Sequence, residues 1–292
     1  MILFHDARCT DYGSSMRPEQ PARLARTVPV LRERHPDWVW REPAPADDQA
    51  ILRAHSAEHL RRLGVARDFD ADTPFFEGIG DHARRAAGAV IGAVDAARAG
   101  EGPAMALMRP PGHHATAGQA MGFCYLNGVA IGALHARAAG ADRVAVWDFD
   151  AHHGNGTEAI LLDRPGLFFA SVHQSPGYPG TGLADRGGNV RNWPIAPRTP
   201  APEHRAALRA SWEAVVAFGP DLVLVSAGFD AYAHDPITSM TLETNDFRAL
   251  GTWLREEAPC PVAAVLEGGY SRDLPDLVEG FLAAWAGKDG RA

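Results

Sequence analysis

The chain is poor in cysteine and lysine and lacks any long hydrophobic run. Cys9, Cys124 and Cys260 lie far apart and form no Cys-x-x-Cys pair, so neither a disulfide framework nor a thiolate zinc site is expected, and a reducing cytoplasm fits. No apolar stretch approaches the ~20 residues that span a bilayer, and Met1-Ile2-Leu3-Phe4 gives way at once to His5-Asp6. Export and membrane association are therefore not expected. Positive charge is in deficit: the formal net charge of -8 argues against a general nucleic-acid binder and leaves room for a cationic substrate or a basic protein partner. Lys288 is the only lysine among 28 basic side chains, which reads as coding bias. Internal repeats, low-complexity tracts and long charged blocks are also missing.

What is present suits one large core. With 292 residues, 46% of them hydrophobic, residues 1–292 are expected to form a single domain. Apolar runs near 2–4, 104–108, 143–147, 167–172, 221–227 and 261–266 alternate with helical periodicity at 19–34, 79–99, 125–139, 203–218 and 243–257. That alternation predicts an α/β fold with a mainly parallel sheet flanked by helices. Ala86, Ala89, Val90, Ala93, Val94 and Ala97 form a helical stripe that reads as core. The Pro- and Gly-rich stretch 176–200 reads as a loop, and Lys288 to Ala292 as a frayed tail.

Polar clusters fall where the apolar runs end. Arg143-Val144-Ala145-Val146-Trp147 reads as a buried strand, followed by Asp148-Phe149-Asp150-Ala151-His152-His153-Gly154-Asn155-Gly156. In extended backbone alternate side chains share a face, so Asp150 and His152 converge while His153 points elsewhere. A second strand, Leu222 to Ser226, leads into Ala227-Gly228-Phe229-Asp230, making Asp230 a natural third ligand. Two carboxylates and one imidazole leave a coordination position open and suit zinc or ferrous iron. Taken singly, each Asp or His is better read as a loop or capping residue; it is their convergence that favours a metal site. A third cluster, Arg109-Pro110-Pro111-Gly112-His113-His114, presents two histidines suited to proton transfer near neutral pH. A fourth, Glu267-Gly268-Gly269-Tyr270, ends another strand, and its glycines bring the Tyr270 hydroxyl towards the same place. In open parallel sheets ligands bind outside the carboxyl ends of the strands, so the four clusters are predicted to share one crevice.

In this order and spacing, with Gly122-Phe123-Cys124-Tyr125-Leu126-Asn127, Ser171-Val172-His173 and Pro179-Gly180-Thr181-Gly182, the motifs resemble the zinc-dependent histone deacetylase family and its bacterial amidohydrolase and acetylpolyamine amidohydrolase relatives. The resemblance runs from about residue 72 to 270 and implies the three-layer α/β/α arrangement of the arginase and deacetylase folds. It implies zinc on Asp150, His152 and Asp230, the trio that spacing also selects. His114 would act as general base and acid, His113 would be tuned through Asp148, and Tyr270 would donate to the carbonyl oxygen. Asp148, Ser171 and the backbone of Asp150, His152 and Val172 would bind potassium. Gly122, Phe123 and Tyr178 would wall a narrow tunnel for the stem of an acylated lysine, with Gly268 and Gly269 behind it and Asp72 at the rim.

The implied reaction is hydrolysis of an acetyl or other short acyl amide, the partner being an acylated lysine protein or peptide or an acylated small amine. Asn155 stands where some members have an aspartate, which should leave His114 less basic. Ile237 stands in the region where polyamine-selective relatives carry a glutamate, which weakens the acetylpolyamine alternative. Two-manganese ureohydrolases need an aspartate where Gly154 stands. A catalytically silent acyl-lysine reader is the non-enzymatic alternative, opposed by the intact ligands, histidines and Tyr270.

Overall fold

A computed structural model of the protein describes residues 1–287; the tail expected at 288–292 lies outside the described residues. Eight strands run in chain order as β1 (Ile2–Phe4), β2 (Val39–Arg41), β3 (Ala104–Ala106), β4 (Val144–Asp148), β5 (Leu167–Gln174), β6 (Val190–Ile195), β7 (Leu222–Ala227) and β8 (Val262–Leu266). They form one sheet in the order β2-β1-β3-β8-β7-β4-β5-β6, and every pairing is parallel. The helices are α1 (Ala22–Arg34), α2 (Asp48–Ile51), α3 (Ala57–Arg62), α4 (Ile79–Arg98), α5 (Gly128–Ala138), α6 (Asn155–Leu161), α7 (Ala201–Phe218), α8 (Thr244–Glu257) and α9 (Leu274–Trp285).

Period-2 alternation along the central strands assigns the helices to two faces. Trp147 of β4 packs its ring against Trp212 of α7 and Trp253 of α8, at centroid distances of 5.0 and 6.4 Å. Leu224 of β7, one register step off Trp147, points the other way, where it lies beside Gly132 of α5 and Val90 of α4. The central strands are buried along their whole length, as parallel strands covered on both faces must be. The expected three-layer α/β/α arrangement is therefore present.

One expectation needs correction. The stretch 176–200 is not loop throughout, because Val190–Ile195 forms β6 at the edge of the sheet. Its sequence, Val-Arg-Asn-Trp-Pro-Ile, hides the strand: it carries Arg191 and Asn192 side by side and Pro194, which only an edge or strand end accommodates.

The chain passes from β4 outward to β5 and β6, then returns to lay β7 on the opposite side of β4. This reversal is a topological switch point, and it opens a crevice beyond the carboxyl ends of β4 and β7. The strands β3, β8, β7 and β4 are consecutive neighbours there, so the loops that follow them meet.

Candidate active site

Those four loops carry the four polar clusters. After β4, the chain turns so that the Asp150 and His152 side chains meet Asp230 from the β7 loop. His152 Nδ1 lies 2.8 Å from Asp230 Oδ2 and 3.2 Å from Asp150 Oδ1, and one ligand atom from each of the three residues lies within 4.8 Å of the others. His153 faces away, with Nδ1 at 2.8 Å from Thr181 Oγ1 and Nε2 at 3.1 Å from Glu158.

Backbone amides hold the carboxylates in place. Ala151 N donates to Asp230 Oδ1 at 2.8 Å, His152 N to Asp150 Oδ1 at 2.9 Å and Gly268 N to Asp150 Oδ2 at 2.6 Å. Such close approach requires glycine at 268: a Cβ there would lie 2.3 Å from Asp230 Oδ2 and 2.5 Å from Asp150 Oδ2.

Asp150 and Asp230 are fully buried and close together. Burial, and then the Asp150 charge, push the Asp230 carboxyl above its usual range. Burial also acts against ionisation of Asp150, but His113 and His152 outweigh it and hold that carboxyl well down. Two buried carboxylates beside one imidazole need positive charge, and this donor set fits a divalent cation with a position left for substrate or water.

The tandem histidines sit beside this trio, each oriented by a different group. His113 Nδ1 donates to Asp148 Oδ2 at 3.0 Å, and its Nε2 lies 3.8 Å from Asp150. Burial works against a charge on His113, yet Asp150 and Asp148 prevail and raise it to about 10. His114 behaves oppositely: burial, then His113 and His152, drive it well below the ordinary imidazole value. Asn155 Oδ1 lies 2.8 Å from His114 Nδ1, while Asn155 Nδ2 donates to the His114 carbonyl and faces Met121 Sδ, both at 3.4 Å. The amide oxygen therefore faces the ring, which fixes the proton on Nδ1 and leaves Nε2 as the basic atom.

Two buried residues that the sequence motifs contain, but to which no role was given, hold the histidine turn. Glu267 accepts from Gly112 N at 2.6 Å, His113 N at 3.1 Å and Ser226 Oγ at 3.1 Å. Burial raises its carboxyl to about 7, against the pull of His113. Asn127 caps α5 through Ala130 N and donates from Nδ2 to the Ala115 carbonyl at 3.0 Å. A glutamate that closes a fully apolar strand was the available signal for Glu267. The place of Asn127 at the start of a helix is a local capping signal, but its bond to the Ala115 carbonyl, 12 residues away, is not.

A cavity of about 290 Å³ descends to these groups. His114, His152 and Tyr270 line its deep end, Gly122, Phe123 and Tyr178 its walls, and Asp72, Arg17, Pro18 and Ile237 complete the lining. Gly122 (φ 57°) and Phe123 (φ 69°) are consecutive left-handed residues. Glycine is required at 122, since a Cβ would lie 2.5 Å from the His114 ring and 2.9 Å from Tyr178. Phe123 adopts a conformation costly for a bulky residue, and its N–H donates to Thr73 Oγ1 at 3.1 Å. Its ring meets Tyr270 edge-on at 5.9 Å, and Tyr178 meets His114 edge-on at 5.0 Å.

Tyr270 is set from two sides. Its N–H donates to Asp235 at 2.8 Å, and the Arg23 guanidinium lies 4.8 Å from its ring centre while donating to the Gly269 carbonyl at 2.8 Å. Burial pushes its hydroxyl well above the ordinary phenol value, so it remains a proton-bearing donor. Arg23 and Asp235 did not stand out in the sequence, because each acts through a backbone group far along the chain.

The potassium candidates also lie together. Asp148 and Ser171 are register partners on β4 and β5, Asp148 Oδ1 accepts from Asp150 N at 3.1 Å, and Ser171 Oγ lies 2.9 Å from His173 Nδ1.

Residues 17–284 match the histone deacetylase domain family. A protein of Archaeoglobus fulgidus named as a probable deacetylase is 36% identical over 99% of this chain and 86% of its own length. Among solved structures, the HD domain of HDA15 superposes with a TM-score of 0.92 at 29% identity, covering 98% of this chain and 91% of that one. An acetylpolyamine aminohydrolase from Burkholderia pseudomallei superposes with a TM-score of 0.84 at 27% identity over 99% of both chains. A family match across most of the chain, with solved structures that superpose over nearly all of it, places the protein in the histone deacetylase family, whose members hydrolyse acetylated amides.

Proposed function

We propose that residues 1–292 act as one catalytic domain that removes an acetyl or other short acyl group from the terminal amine of a lysine-like alkyl chain. The observation that carries this reading is the cluster of Asp150, His152 and Asp230 donors beside one cavity, which His152 lines together with His114 and Tyr270.

Asp150, His152 and Asp230 would hold zinc, or ferrous iron. Such an ion, when bound, supplies Lewis acidity towards an amide carbonyl and lowers the pKa of water. A structural potassium ion on Asp148, Ser171 and the backbone of Asp150, His152 and Val172 would brace the same loop. The carboxyl ends of β4 and β5, adjacent in register, support that assignment.

His114 is suited to take a proton from attacking water, because it is neutral and its Nε2 lone pair is free. His113, held positive by Asp150 and Asp148, keeps its own proton and stabilises negative charge developing beside it. The Tyr270 hydroxyl donates to the substrate oxygen as that oxygen gains charge; one such donor contributes about 3–4 kcal/mol in a transition state. The proton collected on His114 then passes to the departing nitrogen. Phe123 and Tyr178 keep water and branched groups away from the slot, which admits a linear alkyl stem. Ile237 leaves this part of the lining without the negative charge that would attract a polyamine.

The test is amine release from acylated lysine peptides, acetylpolyamines and small acylated amines by zinc-reconstituted protein, with Tyr270→Phe alongside. Turnover that falls about a hundredfold or more in the variant is expected. Equal turnover by both proteins would refute the role of Tyr270, and no release from any substrate would favour a silent acyl-lysine reader.

A further inference from the structure

The mouth of the cavity carries two opposite charges that do not neutralise each other. Arg17 and Asp72 both line it, yet no ion pair joins them and neither pairs with another charged side chain among the described residues. Arg17 spends one donor on the Ala71 carbonyl at 3.1 Å, the residue next to Asp72. The Asp72 backbone is fixed through its own N–H, which donates to Asp70 Oδ1 at 2.9 Å, and its carboxylate accepts no hydrogen bond from the described residues. One turn, 70–72, thus anchors the Arg17 guanidinium and the Asp72 backbone at the same edge of the cavity, and both charges remain available to a ligand.

We propose that the substrate bears a free α-carboxylate: an ω-N-acyl α-amino acid, as in Nε-acyl-lysine itself or the same residue at the carboxyl end of a peptide. This rests on the amidohydrolase reading above. With the acyl group at His152 and Tyr270 and the linear stem between Phe123 and Tyr178, the α-carbon emerges at the mouth. That carbon carries an anionic carboxylate and a nitrogen bearing N–H. The planar guanidinium of Arg17 has donors left in a fork that matches a carboxylate. Asp72 accepts from the α-nitrogen. An internal peptide residue offers no anion to Arg17, and an acetylpolyamine places a cation beside it. Arg17 is a specificity-determining residue on this account.

The experiment uses four substrates with zinc-reconstituted protein: Nε-acetyl-lysine, its α-carboxamide, a short peptide ending in acetyl-lysine as the free acid, and the same peptide as its amide. The readout is the ratio of kcat/KM for acid over amide within each pair, in the wild-type protein and in Arg17→Gln. A wild-type preference for the acid of roughly tenfold, falling towards unity in the variant and weakening with added salt, is the expected result. Comparison of the two acids then shows whether the free amino acid or the peptide terminus is the source. Equal turnover of acid and amide by the wild type, or a preference unchanged in Arg17→Gln, overturns the inference while the amidohydrolase reading stands. No turnover of any of the four overturns that reading and the inference with it.

Discussion

Gly268→Ala tests the geometry of the proposed metal cradle without altering a ligand. The added methyl group would meet Asp230 Oδ2 at 2.3 Å and Asp150 Oδ2 at 2.5 Å, where ordinary contact begins near 3.4 Å, so both carboxylates must withdraw by about 1 Å or the end of β8 must shift. Metal–ligand distances tolerate only about 0.2 Å, so a displacement of this size removes donors from coordination range. The Gly268 N–H bond to Asp150, 2.6 Å long and charge-assisted, weakens as well. Losing a bond of that kind costs about 1.5–3 kcal/mol, which corresponds to roughly ten- to a hundredfold in affinity. Gly268 has no left-handed backbone requirement, so the effect is confined to the carboxylates. The assay is zinc titration calorimetry on metal-stripped protein, with far-UV circular dichroism to confirm the fold. Gly188→Ala, a position with nothing within 4 Å, is the control. If Gly268→Ala binds zinc within about twofold of the wild type, the cradle is not formed by these carboxylates and the reasoning fails.

Arg109 is fully buried with Nε and Nη2 on Glu19 at 2.5 and 2.7 Å, so Arg109→Met leaves that buried carboxylate with only the longer 3.4 Å contact to Arg23 and should cost about 3–5 kcal/mol by urea unfolding. The double variant Arg109→Met with Glu19→Leu should recover most of that loss, and failure to do so would show that the pair is not the source. Burial opposes ionisation of Glu158, but His153, Asn192 and Arg186 outweigh it and lower its carboxyl to about 2 from an ordinary 4.5. The folded state therefore binds fewer protons there than the unfolded chain: the contribution is complete above about pH 4.5 and is lost as pH falls towards about 2. The stability gap between wild type and Glu158→Gln should close over that window, and a gap independent of pH would refute the assignment.

The strands that matter most for the site were readable because they are apolar throughout, and burial on both faces of a parallel sheet demands that. Asp150, His152 and Asp230 could be chosen from alternation along extended backbone and from their places just past strand ends. β6 escaped because an edge strand can carry polar residues and a proline, and α9 because its polar positions, Asp276 and Glu279, are few beside a run that is otherwise mostly apolar and buried. Arg23 and Asp235 escaped for a different reason. Each reaches a backbone group whose position depends on the completed sheet, and no local pattern encodes a bond between Arg23 and the carbonyl of Gly269, 246 residues away.

The left-handed turn at Phe123 has a further consequence. Its N–H is tethered to Thr73, and the hydroxyl of Tyr125 donates to the Pro74 carbonyl at 2.5 Å, so the wall of the slot hangs on residues 73 and 74. The same short segment carries Asp72 at the entrance. On the proposed reading, the aperture that would measure the alkyl stem and the charge that would greet the head group are mechanically one part, and one selectivity could not readily change without disturbing the other. Divergence in this branch of the family would then proceed by replacing the 70–74 segment as a unit, with substrate width and head-group preference inherited together.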